Sequence, residues 1–159
     1  MDNKSILNSH KKGFTLIEIV LVIGLLGILA TTLLVIINPV RQIQKSGDSR
    51  RKAELKQIQA SLELYRSDFG NYPAASSNNV QNCGNALMDP ACNTSTYLQN
   101  VPRDPVGRDY YYALTSNGYN LYGCAQVSTD PEAINAPSAV SASYGSTCPS
   151  NRVFVVTNP

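Results

Sequence analysis

Two sets of residues in this 159-residue chain carry types and spacings that could do chemistry. The first is Lys11-Lys12-Gly13-Phe14, followed by Glu18 as the only charge between Phe14 and Ile37. A cut between Gly13 and Phe14 would create an α-amine one helical turn from Glu18. In a low dielectric that carboxylate, or a neighbouring subunit's, is the natural partner for the new positive charge. An unpartnered carboxylate inside an apolar helix costs about 2.5–3.5 kcal/mol on insertion scales, so Glu18 argues against a plain anchor. The second set is the four cysteines, Cys83, Cys92, Cys124 and Cys148, all in the C-terminal half. An exported segment with four cysteines points to two disulfides. Three connectivities are open. The pairing Cys83–Cys92 and Cys124–Cys148 is preferred, because each closes a stretch without periodic structure. Zinc is the rival, but no Cys-x-x-Cys spacing or nearby histidine favours it.

Other chemistries are poorly supplied. His10 is the only histidine and precedes the expected cut, so Ser-His-Asp and Cys-His catalysis lack a base. There is no Gly-x-Gly-x-x-Gly and no Walker-type lysine loop. No catalytic residue, cofactor or enzyme activity is therefore expected. A formal charge of +2 is too small for a phosphate-backbone footprint, and no nucleic-acid partner is expected.

The elements that must position these residues can be read from hydropathy. Residues 14–37 form 24 nearly uninterrupted apolar positions, enough as a helix to cross a hydrocarbon core about 30 Å thick. The basic pair ahead of them predicts a cytoplasmic N-terminus in the cytoplasmic membrane, with the rest outside. The run is longer than a signal-peptide core and ends at Asn38-Pro39 without a small-residue cleavage site. Pro39 predicts a break, and Gly47 is a second weak point. From about 48 to 69 the pattern turns amphipathic. Leu55, Ile58, Leu62, Tyr65 and Phe69 recur at spacings of 3, 4, 3 and 4, the core face of a helix that Gly70 and Pro73 end. The cluster Arg50-Arg51-Lys52 reads as a solvated face, partly paired with Asp48 and Glu54.

Beyond Tyr72 the composition changes, with eight of nine prolines from Pro73 onward. Residues 74–96 read as a polar loop, Tyr97-Leu98 as a short turn or helix, and Asp104–Gly107 as a tight turn. Tyr110–Thr115 and Tyr119–Val127 read as strands of a hairpin through Ser116-Asn117-Gly118, and Val153–Thr157 as a third strand. The tyrosines between 97 and 122 read as a half-buried sheet face with hydroxyls at the rim. Asn93-Thr94-Ser95 matches a glycosylation acceptor, a weak three-residue signal.

Lys11-Lys12-Gly13-Phe14-Thr15-Leu16-Ile17-Glu18 followed by an apolar helix resembles the processing signature of type IV pilins and type II secretion pseudopilins. Residues 48–65, Asp68–Pro73, Val101–Gly107 and Tyr110–Tyr112 are also similar to major pseudopilins, so the resemblance covers roughly 9–125. It implies an α+β, pilin-like ladle, in which a long N-terminal helix packs through its C-terminal half on a small antiparallel sheet. The implied division is a leader (1–13), a spanning and filament-core helix (14–37), its amphipathic continuation (38–72) and a head (73–159). The resemblance further implies a prepilin peptidase acting at Gly13, N-methylation of Phe14, and Glu18 guiding subunit docking. The implied partners are other copies of the chain in a helical filament, an assembly platform and its ATPase. The expected role is a structural subunit of a type IV pilus-like filament, with a pseudopilin of type II secretion as the alternative. A membrane-anchored binding module is the reading from another class. Major pseudopilins also carry calcium in a C-terminal loop. Here residues 110–159 hold only Asp130 and Glu132 as acids, so no metal is expected.

Without residues 1–13 the chain has ten basic and ten acidic side chains. The +2 charge is thus a topology signal carried by the leader.

Overall fold

The structure is a computed structural model that describes residues 13–105, 107–145, 148 and 150–158. Lys11 and Lys12 lie outside the described residues, as does Val106 of the expected Asp104–Gly107 turn. The chain divides into two compact units, one ending at Pro39 and one running from Val40 to Pro159.

The first unit is built around α1, Leu16–Ile37. Thr15 caps its start by accepting a hydrogen bond from the Glu18 N–H at 3.3 Å, which satisfies one otherwise orphaned donor. Thr31 and Thr32 fold their hydroxyls back onto the carbonyls of Ile28 and Leu29, both at 2.8 Å. The helix therefore shows few unpaired polar groups along an apolar surface, as a lipid-facing segment requires. Asn38 closes α1 in the left-handed conformation, φ 45°, and α2 begins on Pro39. Proline costs nothing there, because the first helical N–H has no partner in any case.

The second unit holds α2, Pro39–Phe69, from Val40 onward, and the helix runs on through Gly47 without interruption. A Cβ at Gly47 would lie 3.2 Å from Arg51 Nη1, so the glycine makes room for a buried guanidinium. Leu55, Ile58 and Leu62 are fully buried and Tyr65 nearly so. Phe69, at the end of the same stripe, is 39% exposed and tilts against Tyr65 with centroids 4.7 Å apart.

The strands are β1 (Leu87–Met88), β2 (Thr96–Leu98), β3 (Tyr111–Thr115), β4 (Gly118–Cys124), β5 (Ile134–Asn135) and β6 (Arg152–Thr157), with α3 at Ser138–Tyr144. β1 and β2 form a small antiparallel pair, and the other four form an antiparallel sheet in the order β3-β4-β6-β5. The fold is α+β, as the resemblance implied. The hairpin is tight, with Thr115 facing Gly118 across Ser116-Asn117. Alternation sorts the sheet into two faces. Tyr112, Tyr119, Leu121 and Phe154 pack with the buried stripe of α2. Tyr122, Cys124 and Val153 turn the other way, onto Val140, Tyr144 and Cys148. Burial on both faces explains why β4 is almost entirely enclosed. Gly123 fits this crowding, since a Cβ there would sit 3.1 Å from Tyr110 and 3.2 Å from Leu55.

Three local readings are corrected. Tyr97-Leu98 belongs to strand β2, paired with β1. The stretch between Cys124 and Cys148, expected to lack periodic structure, contains β5 and α3. The tyrosines are more deeply buried than a half-exposed sheet face, with Tyr112 and Tyr119 fully enclosed.

Candidate functional site

The α1 end carries the residues singled out for processing and docking. Gly13 and Phe14 precede the helix, and Phe14 is 79% exposed. Glu18 sits in the first turn, where the helix dipole favours a negative charge. Leu16–Leu34 is long and apolar enough to cross a membrane, and none of it is buried within the chain. A Cβ at Gly24 or Gly27 would meet nothing within 4 Å. The helix thus presents an apolar surface broken by one carboxylate, and it requires an apolar surrounding outside this chain.

The cysteines are joined as Cys83–Cys92 and Cys124–Cys148, with Cα atoms 5.7 and 5.5 Å apart. The first closes a loop whose centre is Asp89. Its carboxylate accepts hydrogen bonds from the backbone N–H groups of Ala91, Asn93, Thr94 and Ser95 at 2.9–3.2 Å. Donation from Thr94 and Ser95, then from Asn93 and Ala91, holds Asp89 below the usual carboxylate range against the opposing effect of burial. The second disulfide ties β4 to the segment ahead of β6, beneath α3.

The most heavily charged interior feature was read as solvated surface. Arg51 is fully buried, with Asp48 and Asp104 each 2% exposed. Its Nε donates to both Asp104 carboxylate oxygens at 3.0 and 3.1 Å, and its Nη2 to Asp104 at 2.9 Å. Nη1 donates to Asp48 at 3.0 Å. Asp48 also accepts from the Gln126 and Val127 N–H groups, both at 2.9 Å, and Asp104 from the Cys124 N–H at 3.3 Å. Burial would lower the Arg51 pKa, but its hydrogen bond to Asp104 and the charges of Asp104 and Asp48 hold it above its ordinary value. The forked guanidinium suits this bidentate role. Two signals point to the network in the sequence: the Asp48…Arg51 spacing of three, and an aspartate set between Pro102 and Pro105. The spacing also suits a surface pair, so sequence alone does not separate the two cases.

The neighbours of Arg51 differ. Arg50 pairs with Glu54 at 2.7 Å on the exposed side, and Glu54 also accepts from the Tyr110 hydroxyl. Burial, then the bond to Glu54, pushes Tyr110 far above its ordinary value. Three other enclosed tyrosine hydroxyls are also engaged: Tyr112 donates to the Pro73 carbonyl, Tyr119 to Glu63, and Tyr144 to the Tyr122 carbonyl. Among the described residues no group of three or more His, Cys, Asp or Glu converges as a metal-ligand set. Of the tyrosine hydroxyl bonds, that between Tyr119 of β4 and Glu63 ties α2 directly to the sheet.

Comparison with known proteins finds two family models that match the chain. The profile described as "Type II secretion system (T2SS), protein G" matches residues 38–130, and that described as "Prokaryotic N-terminal methylation motif" matches residues 8–34. Among curated relatives, a "Type II secretion system core protein G" from Pseudomonas aeruginosa is 32% identical over 118 residues, covering 71% of this chain and 82% of the relative. Proteins of the same name from Pectobacterium carotovorum and Escherichia coli K12 are each 28% identical. The matched stretches span 64% and 63% of this chain, and 65% and 70% of those proteins. No solved structure matches the chain.

Proposed function

Starting from a chain that belongs to the type II secretion system protein G family, we propose that it is a pseudopilin, the subunit of a filament built through its N-terminal helix. The type IV pilus-like reading and the secretion reading describe one filament architecture, and the curated relatives favour secretion. The precursor waits in the cytoplasmic membrane with residues 1–13 on the cytoplasmic side. A prepilin peptidase cuts after Gly13 and Phe14 is N-methylated. An assembly platform and its ATPase then transfer α1 from lipid to the filament core. Head-to-tail contacts that do not close generate such a fibre. The subunit's role is structural, and the proposal assigns it no catalysis.

The observation that carries this reading is α1 itself: an apolar helix with no buried residue in its spanning stretch and a single carboxylate in its first turn. Inside a filament core, the Phe14 α-amine of an adjacent subunit is the group best able to offset Glu18. Glu18→Ala should therefore leave membrane insertion and cleavage intact while abolishing filaments seen by electron microscopy of sheared cells. Normal filaments from that variant, or a mature chain that does not begin at N-methylated Phe14 by mass spectrometry, would overturn the proposal. An uncut N-terminus would favour the membrane-anchored binding module.

A further inference from the structure

The resemblance to major pseudopilins implies a bound calcium ion in the C-terminal loop, and the acids beyond Tyr110, Asp130 and Glu132, lie in residues 125–137 between β4 and α3. Calcium takes six to eight oxygen ligands at about 2.3–2.6 Å. Both carboxylates and several other oxygens here already have partners. Lys52 of α2 reaches across with its Nζ 2.9 and 3.2 Å from the two Asp130 oxygens and 3.0 Å from Glu132. The same ammonium lies 4.7 Å from the centre of the Phe154 ring, a cation–π contact. Arg152 of β6 donates to the carbonyls of Ser128 and Ala133. Arg41 donates to the Thr129 hydroxyl at 3.2 Å, and the Glu132 N–H takes one Asp130 oxygen at 3.0 Å.

This donor set does not fit a divalent ion. Two carboxylates are present, and both bracket a protonated amine. An ion bound between them would sit within a few ångströms of Lys52, a like-charge contact that costs energy in partly buried surroundings. The lysine stays charged: burial lowers its pKa, but the bonds to Asp130 and Glu132 more than compensate and hold it above its ordinary value.

We infer that Lys52 and Arg152 are fixed cations that close the 125–137 segment in place of a metal ion, so that this chain holds its C-terminal loop without calcium. Lys52 neutralises the carboxylates and ties them to α2. Arg152 gathers two backbone carbonyls onto β6. The inference stands on these contacts and is independent of the filament proposal.

The test uses the purified full chain in detergent, with limited proteolysis of the 125–137 segment and thermal unfolding, in millimolar calcium chloride and in excess EDTA. The expected result is the same cleavage rate and the same melting temperature in both, with no bound calcium by equilibrium dialysis. Lys52→Met should cut about fivefold faster within the segment whether or not calcium is present, because cleavage follows the population of the open loop. Lys52→Arg should keep the wild-type rate. Protection of the wild-type chain by calcium, loosening by EDTA, or a Lys52→Met chain as resistant as wild type would each overturn the inference.

Discussion

Replacing Arg51 by methionine removes a charge while keeping an unbranched stem of similar length. Asp48 and Asp104 then lose the guanidinium that bridges them, while the N–H groups of Gln126, Val127 and Cys124 still donate to them. Breaking a buried pair from one side costs about 3–5 kcal/mol. The unit from Val40 to Pro159 has 120 residues, and its unfolding entropy scales to about 0.25 kcal/mol per kelvin. The expected fall in melting temperature is therefore about 12–20 °C, read by circular dichroism of the full chain in detergent. Arg51→Lys keeps the charge and loses the fork, and it should fall between the two. In a double-mutant cycle with Asp104→Leu, the double variant should lose less than the summed single losses, because the second change removes one stranded acid. A loss below about 4 °C for Arg51→Met, or equal losses for lysine and methionine at this position, would refute the view that the buried charge balance holds these segments together.

The disulfides give two further tests. Replacing Cys124 and Cys148 together by serine should cost about 3.5 kcal/mol in urea unfolding, and the Cys83–Cys92 pair about 2.7 kcal/mol, from the different loop lengths. Four titratable thiols in the unreduced protein would refute both bridges. Asp89 gives a pH test. Its folded pKa is depressed, so its contribution is complete above the ordinary carboxylate value of about 4 and is lost as pH falls through the lower folded value. Asp89→Asn should flatten the acid limb of stability, and an unchanged limb would refute the cage as its origin.

Much of this was legible wherever one physical requirement dominates. A lipid-length apolar run, a 3–4–3–4 stripe and an Asn-Gly hairpin each have few alternative readings, and α1, the stripe of α2 and the β3–β4 pair follow from them. What escaped depends on long-range partners. α3 buries only Val140 and Tyr144 among small residues, too little for a periodic signal, and it forms against a sheet face made by distant strands. Tyr97-Leu98 is a strand only because Leu87-Met88 lies beside it. Arg51 and Lys52 look alike in a basic cluster. One is enclosed by an acid 53 positions away and the other reaches an acid 78 positions away. Gly13, Phe14 and Glu18, to which the proposal assigns processing and docking, form a contiguous motif that can be read without tertiary context.

Those separations carry a consequence for the order of events during export. Between Pro39 and Lys56 the chain has six basic and two acidic side chains. Asp104 and Asp130, which Arg51 and Lys52 need, come much later. In the orientation proposed above, the first stretch to emerge would be a strongly cationic tether beside the bilayer. Asp104 and Asp130 would offset part of its surplus charge once they reached the same side. Completion of the head would then mask charges that otherwise favour the cytoplasmic side, so that folding would oppose back-sliding.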